Sequence, residues 1–174
     1  MTVLRRLTTE YVEIEDRIRI AGQTPKDAQV VMWLTNRLAT RAVPQLLRWL
    51  ENQAAPTSAS SRASAPSQAV RRELQSFAQA TAVAGLKQQK PVTARADDPA
   101  WVAKAIDIKA SQSHLSITFR GAQDQSAGVR FDAMGLRQWL SILHRAWTKA
   151  QWPPLVWPDW IKTHRSAPQN AVRH

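Results

Sequence analysis

YVEIEDRIRI, residues 11–20, alternates apolar and polar side chains with a period of two. The apolar side carries Val12, Ile14, Ile18 and Ile20. This alternation predicts a β-strand with one buried and one charged face, interrupted only where Asp16 falls on the apolar side. An isolated strand has no stable state in water. We therefore expect this strand to join a sheet made by strands far along the chain.

A helical period follows, from about Ala28 to Asn52. One side of this helix carries Val31, Leu34, Leu38, Ala42, Leu46 and Trp49. The spacing predicts a long amphipathic helix. Pro44 falls inside it and is expected to kink or divide the helix, because proline lacks an N–H and clashes with the preceding turn. Residues 1–52 are therefore assigned to an N-terminal strand plus a long helix.

Two stretches have the composition of linkers. Residues 53–67 contain mainly Ala, Ser and Pro, whose side chains cannot offset the entropy of ordering the chain, so we predict a flexible inserted linker. Residues 68–100 are assigned to a short helix and a second linker. The short helix has a narrow apolar stripe of Val70, Leu74, Phe77 and Thr81.

The C-terminal part, residues 101–161, is predicted to complete the same domain with a strand meander, a helix and a strip rich in Trp and Pro. His114–Arg120 alternates clearly, and a second amphipathic helix is expected from about Met134 to Gln151. Residues 162–174 form a basic tail. The fold class that follows is α+β, with a small antiparallel sheet of about four strands packed against two long amphipathic helices.

A strand-to-helix pattern occurs twice, once near Trp33-Leu34 and once near Trp139-Leu140. Such an echo arises either from an internal duplication or from convergent amphipathic patterning. Short patterns of this kind favour the second explanation.

Charge is the unusual feature of the composition. The 174 residues include 24 Lys and Arg against 13 Asp and Glu, a formal net charge of +11. This balance suits a nucleic acid, an acidic protein or an anionic membrane surface as partner. Cysteine is absent, which excludes disulfides and thiolate chemistry. No apolar run approaches the ~20 residues of a membrane-spanning helix, so we predict a cytoplasmic protein.

Motifs for catalysis are missing from the sequence. None of the five glycines forms a phosphate-binding loop, and the four histidines lack the spacing of a metal pair. His144 is either an acid–base group or, as its lack of a partner favours, a solvated surface residue. The sequence therefore predicts a chain that is not an enzyme and uses no cofactor or metal.

Two groups of residues are candidates for partner binding. Arg37, Arg41 and Arg48 fall within about 40° of one another on the long helix. They form either a ridge that binds carboxylate or phosphate or a solvated helix face. Trp152, Trp157 and Trp160 alternate with prolines, and they either anchor a partner or cover their own domain.

These features predict a non-catalytic accessory or adaptor protein that binds a protein partner within a larger intracellular assembly. The alternative is a basic nucleic-acid-binding protein.

Overall fold

The computed structural model describes residues 2–53, 67–87, 89–95 and 97–162. The predicted linker 53–67 and the predicted tail 162–174 lie outside this part, apart from their first residues and Ser67.

Within the described residues the chain forms eight strands and four α-helices. The strands are β1 (Thr2–Val3), β2 (Arg6–Val12), β3 (Arg17–Gln23), β4 (Gln29–Leu34), β5 (Ala100–Val102), β6 (Ala105–Ala110), β7 (Leu115–Arg120) and β8 (Ser126–Phe131). The helices are α1 (Asn36–Gln53), α2 (Gln68–Ala84), α3 (Ala133–Lys149) and α4 (Asp159–Lys162). Short 3-10 turns occupy Glu13–Glu15 and Pro154–Val156.

The α+β class is confirmed, but the prediction of one antiparallel sheet is wrong. Two mixed sheets of four strands are present, a first sheet in the order β1-β8-β7-β6 and a second in the order β2-β3-β4-β5. Three strands of each sheet form an antiparallel meander. The fourth strand of each sheet is short and parallel to the last meander strand. The stretch 11–20 thus lies in a sheet with β4 and β5, and only the short β1 joins the C-terminal sheet.

The two parallel strands are exchanged reciprocally. β1 precedes the first meander but pairs with β8, and β5 precedes the second meander but pairs with β4. Each half of the chain therefore follows the same order, four strands and then a long helix, and lends its first strand to the other half. This arrangement favours internal duplication over coincidence. The Trp-Leu pairs do not correspond, because Trp33-Leu34 lies in β4 and Trp139-Leu140 lies in α3.

The stretch 11–20 forms a hairpin and not the continuous strand that its alternation predicts. β2 ends at Val12, and Asp16 adopts the left-handed conformation at φ 45° before β3 begins. Ile14 lies at the tip of the turn, where it is 93% exposed, whereas Ile18 and Ile20 are fully buried. Asp16, the one residue that breaks the alternation, therefore lies in the turn.

The predicted start of the first long helix is also wrong, because residues 29–34 form β4. This strand lies between β3 and β5, and Val30, Val31, Met32 and Leu34 are buried in it. Central strands read as continuous apolar runs, and such a run fits a helical spacing by chance. The helix begins only after Thr35, whose Oγ1 accepts a hydrogen bond from the Leu38 N–H at 3.3 Å. It then continues through the exposed Pro44 without dividing.

The core lies between the sheets and the helices α1 and α3. The largest fully buried side chains are Trp147, Phe119, Ile18, Ile20, Met32, Leu34, Leu46, Leu50, Leu115, Ile117, Leu136 and Leu140. Both long amphipathic helices contribute to this core, as their apolar sides predict.

Helix α2 packs against the domain with its polar side, and its apolar stripe faces solvent. Leu74 and Phe77 are 48% and 74% exposed, whereas Gln75 and Gln79 are buried against the domain. Gln79 Nε2 donates to the Arg137 carbonyl at 3.1 Å, and Gln138 Nε2 donates to the Ala82 carbonyl at 2.9 Å. Amide hydrogen bonds thus help attach this helix to α3, beside the buried Ala82.

The stretch assigned to a second linker crosses the second sheet where the structure describes it. Val92 is buried, and its N–H donates to Thr8 Oγ1 at 2.8 Å. Arg6 also donates a hydrogen bond to the Lys90 carbonyl. This strap covers part of the outer face of the second sheet.

Candidate functional site

The Trp/Pro strip, residues 152–161, folds back onto its own domain. Trp152, Trp157 and Trp160 are only 8%, 3% and 5% exposed. Of the two arrangements left open by the sequence, the structure has the one in which the strip covers the domain that carries it. The tryptophan rings are therefore part of the core together with Ile161, whereas Pro153, Pro154 and Leu155 face solvent.

Trp147 of α3 is the centre of the aromatic cluster beneath the strip. Its indole N–H donates to the carbonyls of Trp152 and Pro153, both at 3.1 Å. Its ring makes edge contacts with Trp152 and Trp157, with centroids 5.2 and 5.5 Å away. Edge-to-face pairs of this kind contribute about 0.5–1.5 kcal/mol each beyond the area that they bury. The strip is thereby fixed to the C-terminal end of α3.

The β2–β3 turn contacts the same end of the domain. Trp152 Nε1 lies 3.4 Å from Asp16 Oδ1, and the Tyr11 hydroxyl donates to the same carboxylate oxygen at 2.9 Å. Tyr11 and Trp152 also make an edge contact at 6.3 Å. The hydrogen bond to Asp16 is the main reason that the pKa of Tyr11 is raised.

Arg37, Arg41 and Arg48 form an exposed ridge along α1, as the helical spacing predicts. Within the described part of the chain none of the three forms an ion pair. A guanidinium that forms no ion pair keeps its donors free for a carboxylate or phosphate. The ridge therefore satisfies the geometric requirement for binding an acidic partner.

A cleft of about 350 Å³ lies between the α1 end of the arginine ridge at Arg48 and the Trp/Pro strip. Its lining residues are Pro44, Leu47, Arg48 and Glu51 of α1 and Leu155, Val156, Trp157 and Pro158 of the strip. Of the six predicted site residues, only Arg48 and Trp157 line this cleft. Arg37 and Arg41 lie on α1 beyond the cleft, whereas Trp152 and Trp160 are not part of its lining.

Leu155 is the cleft residue that sequence analysis missed. It lies in the 3-10 turn between the buried tryptophans and is 92% exposed. The sequence treats it as one of several apolar residues in the strip and does not reveal that it faces away from Trp157.

Arg137 of α3 is only 5% exposed, although arginine is rarely buried in this way. Its guanidinium lies 5.3 Å from the Trp160 ring and donates a hydrogen bond to Gln75 Oε1. Burial lowers its pKa to about 10, which leaves it charged at neutral pH. Gln75 of α2 accepts a hydrogen bond from this charged group in place of water, which is one reason that the polar side of α2 faces inward.

Arg137 Nη1 and Gln79 Oε1 are buried without a hydrogen-bond partner in the described part of the chain. Unsatisfied buried polar atoms cost about 1–3 kcal/mol each. The α2–α3 contact is therefore less stable than its number of hydrogen bonds suggests.

His144 lies on the strip side of α3, where its ring makes an edge contact with Trp157 at 5.0 Å. It is half-buried, so the prediction of a fully solvated histidine is wrong. Burial, and to a lesser extent the charge of Lys162, lowers the pKa of His144. This contact, like the cleft, depends on how the strip is seated.

We expect the free energy of unfolding to fall as the pH drops below about 6.5 because of His144. In the unfolded chain its pKa is near 6.5, above its value in the folded chain, so the unfolded chain binds the proton first. The stabilisation is complete above pH 6.5 and is lost as the pH falls through the folded-state pKa. Urea unfolding of His144→Phe, which keeps a ring beside Trp157, should depend less on pH than that of the natural chain. An unchanged pH dependence would contradict this assignment.

A second cleft, of about 590 Å³, opens at the end of the first sheet. Its lining residues are His114, Arg130, Phe131, Asp132 and Gly135. Asp132 caps α3, accepting a hydrogen bond from the Gly135 N–H at 2.7 Å. The Phe131 ring stacks on Trp139 at 5.4 Å, which holds it at the cleft wall.

No cluster of three or more His, Asp or Glu side chains suited to hold a metal ion occurs in the described ranges. The helices described are each too short or too polar to cross a bilayer. Comparisons with protein-family models, with curated proteins and with solved structures give no match.

Proposed function

We propose that the chain is a non-catalytic adaptor that holds a protein partner in the cleft between α1 and the Trp/Pro strip, within a larger intracellular assembly. The observation that carries the proposal is Leu155, which is 92% exposed beside a cleft that also contains Arg48. The cleft offers an apolar contact and a free guanidinium within one small area. That combination suits a partner segment with an apolar residue next to acidic ones.

The strip provides a rigid wall for such a segment. Trp157 lies beneath the wall and is only 3% exposed, and Trp147 donates to two strip carbonyls. A surface that is ordered before binding loses little conformational entropy when a partner arrives. The predicted role of Trp152, Trp157 and Trp160 in partner binding thus becomes indirect, since they hold Leu155 and Val156 in position.

Charge supports a partner that is acidic overall. Arg37 and Arg41 extend the cationic surface from the cleft along α1, and neither forms an ion pair within the described ranges. Glu51 adds one carboxylate at the rim of the cleft, so the site presents both a positive and a negative group. Complementary patterns of this kind steer association and select among partners.

The test compares two variants with a matched control. The triple change Arg37→Gln, Arg41→Gln and Arg48→Gln, and separately Leu155→Asp, should each leave the melting temperature nearly unchanged, because exposed substitutions usually alter stability by less than about 0.5 kcal/mol. The control is Arg145→Gln with Lys149→Gln, two exposed changes on α3 outside the cleft. Each tagged protein is used to capture partners from nuclease-treated native lysate.

A protein partner should remain on the natural chain and on the control and be lost from both cleft variants. Binding of that purified partner should weaken mainly through faster dissociation. Equal recovery on all four chains would contradict the proposal, as would capture that disappears with nuclease treatment.

A further inference from the structure

The outer face of the first sheet is a flat cationic surface. Pairing across β6, β7 and β8 places Lys109 opposite Ser116 and Ser116 opposite Arg130. Residues aligned in this way alternate with Ile108, Ile117 and Val129, which face the core. Lys109 and Arg130 therefore point away from the core, in one row across three strands, with their Cα atoms about 10 Å apart.

Next to Lys109 and Arg130, the outer face of the first sheet carries mainly small polar side chains. The next rows along the strands pair Thr118 with Gly128 and Arg120 with Ser126. Arg120 is held by an ion pair with Asp107, but Lys109 and Arg130 form none within the described ranges. Lys109 and Arg130 lie at one end of a surface formed by hydroxyl side chains and glycine. A chain of anionic groups can lie along this surface.

The chemistry of this face favours phosphate over protein as its ligand. Interfaces between proteins are centred on buried aromatic or aliphatic anchors, and the rows of this face contain none except Val3 at the β1 edge. Hydroxyls, arginine and lysine are the groups that contact the phosphodiester backbone. The only acid in these rows, Asp107, is already bound by Arg120.

Arg130 also lines the second cleft, which extends the face to an aromatic wall. The cleft of about 590 Å³ has Phe131 and His114 in its lining, and its volume falls in the range of small-molecule sites. A nucleobase can stack on such rings only when it is not paired within a duplex. The juxtaposition of a row of cations and a cleft lined by two rings therefore favours a single strand.

We propose that the outer face of the first sheet binds single-stranded nucleic acid, with phosphates on Lys109 and Arg130 and a base in the cleft beside Phe131 and His114. This site is separate from the cleft at α1 and needs no protein partner. The adaptor would then join a protein to a single strand. Contacts to phosphates make such binding largely independent of sequence and strongly dependent on salt.

Fluorescence anisotropy with a labelled 20-nucleotide oligothymidylate tests the proposal on the purified full chain. Lys109→Gln with Arg130→Gln should weaken binding on the order of 10- to 100-fold at about 50 mM salt and reduce the slope of log K against log salt by about 1.4. Arg145→Gln with Lys149→Gln removes the same charge from an exposed part of α3 and should leave binding close to that of the natural chain.

Two results would overturn the proposal. Equal weakening by both double variants would show that net charge alone attracts the oligonucleotide. Equal affinity for a duplex of the same length would exclude the base-binding cleft. Thermal unfolding of each variant shows whether lost binding reflects lost folding. The variant His114→Ala keeps both phosphate contacts. It should weaken binding to the single strand without changing the slope of log K against log salt. Failure of these tests leaves the adaptor proposal intact, because they involve no protein partner.

Discussion

Removing residues 1–20 is expected to abolish cooperative unfolding of the whole protein. The deletion takes away β1, β2 and the first part of β3, and with them the fully buried Ile18 and Ile20. It also removes Thr9, whose Oγ1 accepts a hydrogen bond from Trp139 Nε1 at 3.1 Å. Loss of each large buried side chain costs about 2–5 kcal/mol, and a whole domain is stable by only about 5–15 kcal/mol. Calorimetry should therefore show no unfolding peak.

Two point variants in the same hairpin refine this test. Ile18→Ala should lower the free energy of unfolding by about 2–5 kcal/mol, because Ile18 is fully buried. Ile14→Ala should change it by less than about 0.5 kcal/mol, because Ile14 is 93% exposed. If the two variants were equally destabilised, residues 11–20 would form the continuous strand of the alternating pattern. A truncated chain that melts like the full one would contradict the larger prediction.

Trp147→Ala is expected to be the most damaging single substitution. Trp147 is only 1% exposed, and it joins Trp152 and Trp157 to α3 through two ring contacts and two hydrogen bonds. Burying an alanine there leaves a large cavity, and Trp-to-Ala changes in cores cost about 3–5 kcal/mol. The strip should also be released, so tryptophan emission should shift to the red and become accessible to a quencher before global unfolding.

Two controls separate packing from hydrogen bonding at this position. Trp147→Phe keeps an aromatic ring but removes the N–H, which leaves the carbonyls of Trp152 and Pro153 without that donor. It should lose less stability than Trp147→Ala. Leu155→Ala lies in the same strip but is exposed, so its denaturation midpoint should match that of the natural chain. A small effect of Trp147→Ala would show that the strip contributes little to the fold.

Prediction of structure from the sequence fails most clearly where one pattern is compatible with two structures. The alternation from Tyr11 to Ile20 is correct on both sides of Asp16, but a tight turn keeps the same apolar spacing while it exposes Ile14. The run Val30–Leu34 fits a helical side because a strand buried on both faces needs no alternation. In each case the neighbouring strand decides the outcome, and pairing between distant strands is not a local property of the sequence.

The candidate site was predictable to a similar extent. Periodicity alone places the arginine ridge on an exposed side of α1, since the arginines and the apolar residues fall at different angles around the helix. Docking of the Trp/Pro strip follows from the apolar area that it would otherwise expose. The exposure of Leu155 and the burial of Arg137 depend on the angle at which the strip and α2 meet α3. No single-residue property encodes that angle.

The reciprocal exchange of β1 and β5 also governs the order in which the protein can mature during its synthesis. The first meander leaves the ribosome with one side of β4 unpaired, because its partner Ala100–Val102 has not yet been made. Thr2–Val3 waits still longer, until Ala127 and Gly128 appear. An open strand edge that contains Val31 and Met32 is a site for pairing between nascent chains. We expect the N-terminal half to stay open to such pairing until the C-terminal half emerges and closes both sheets.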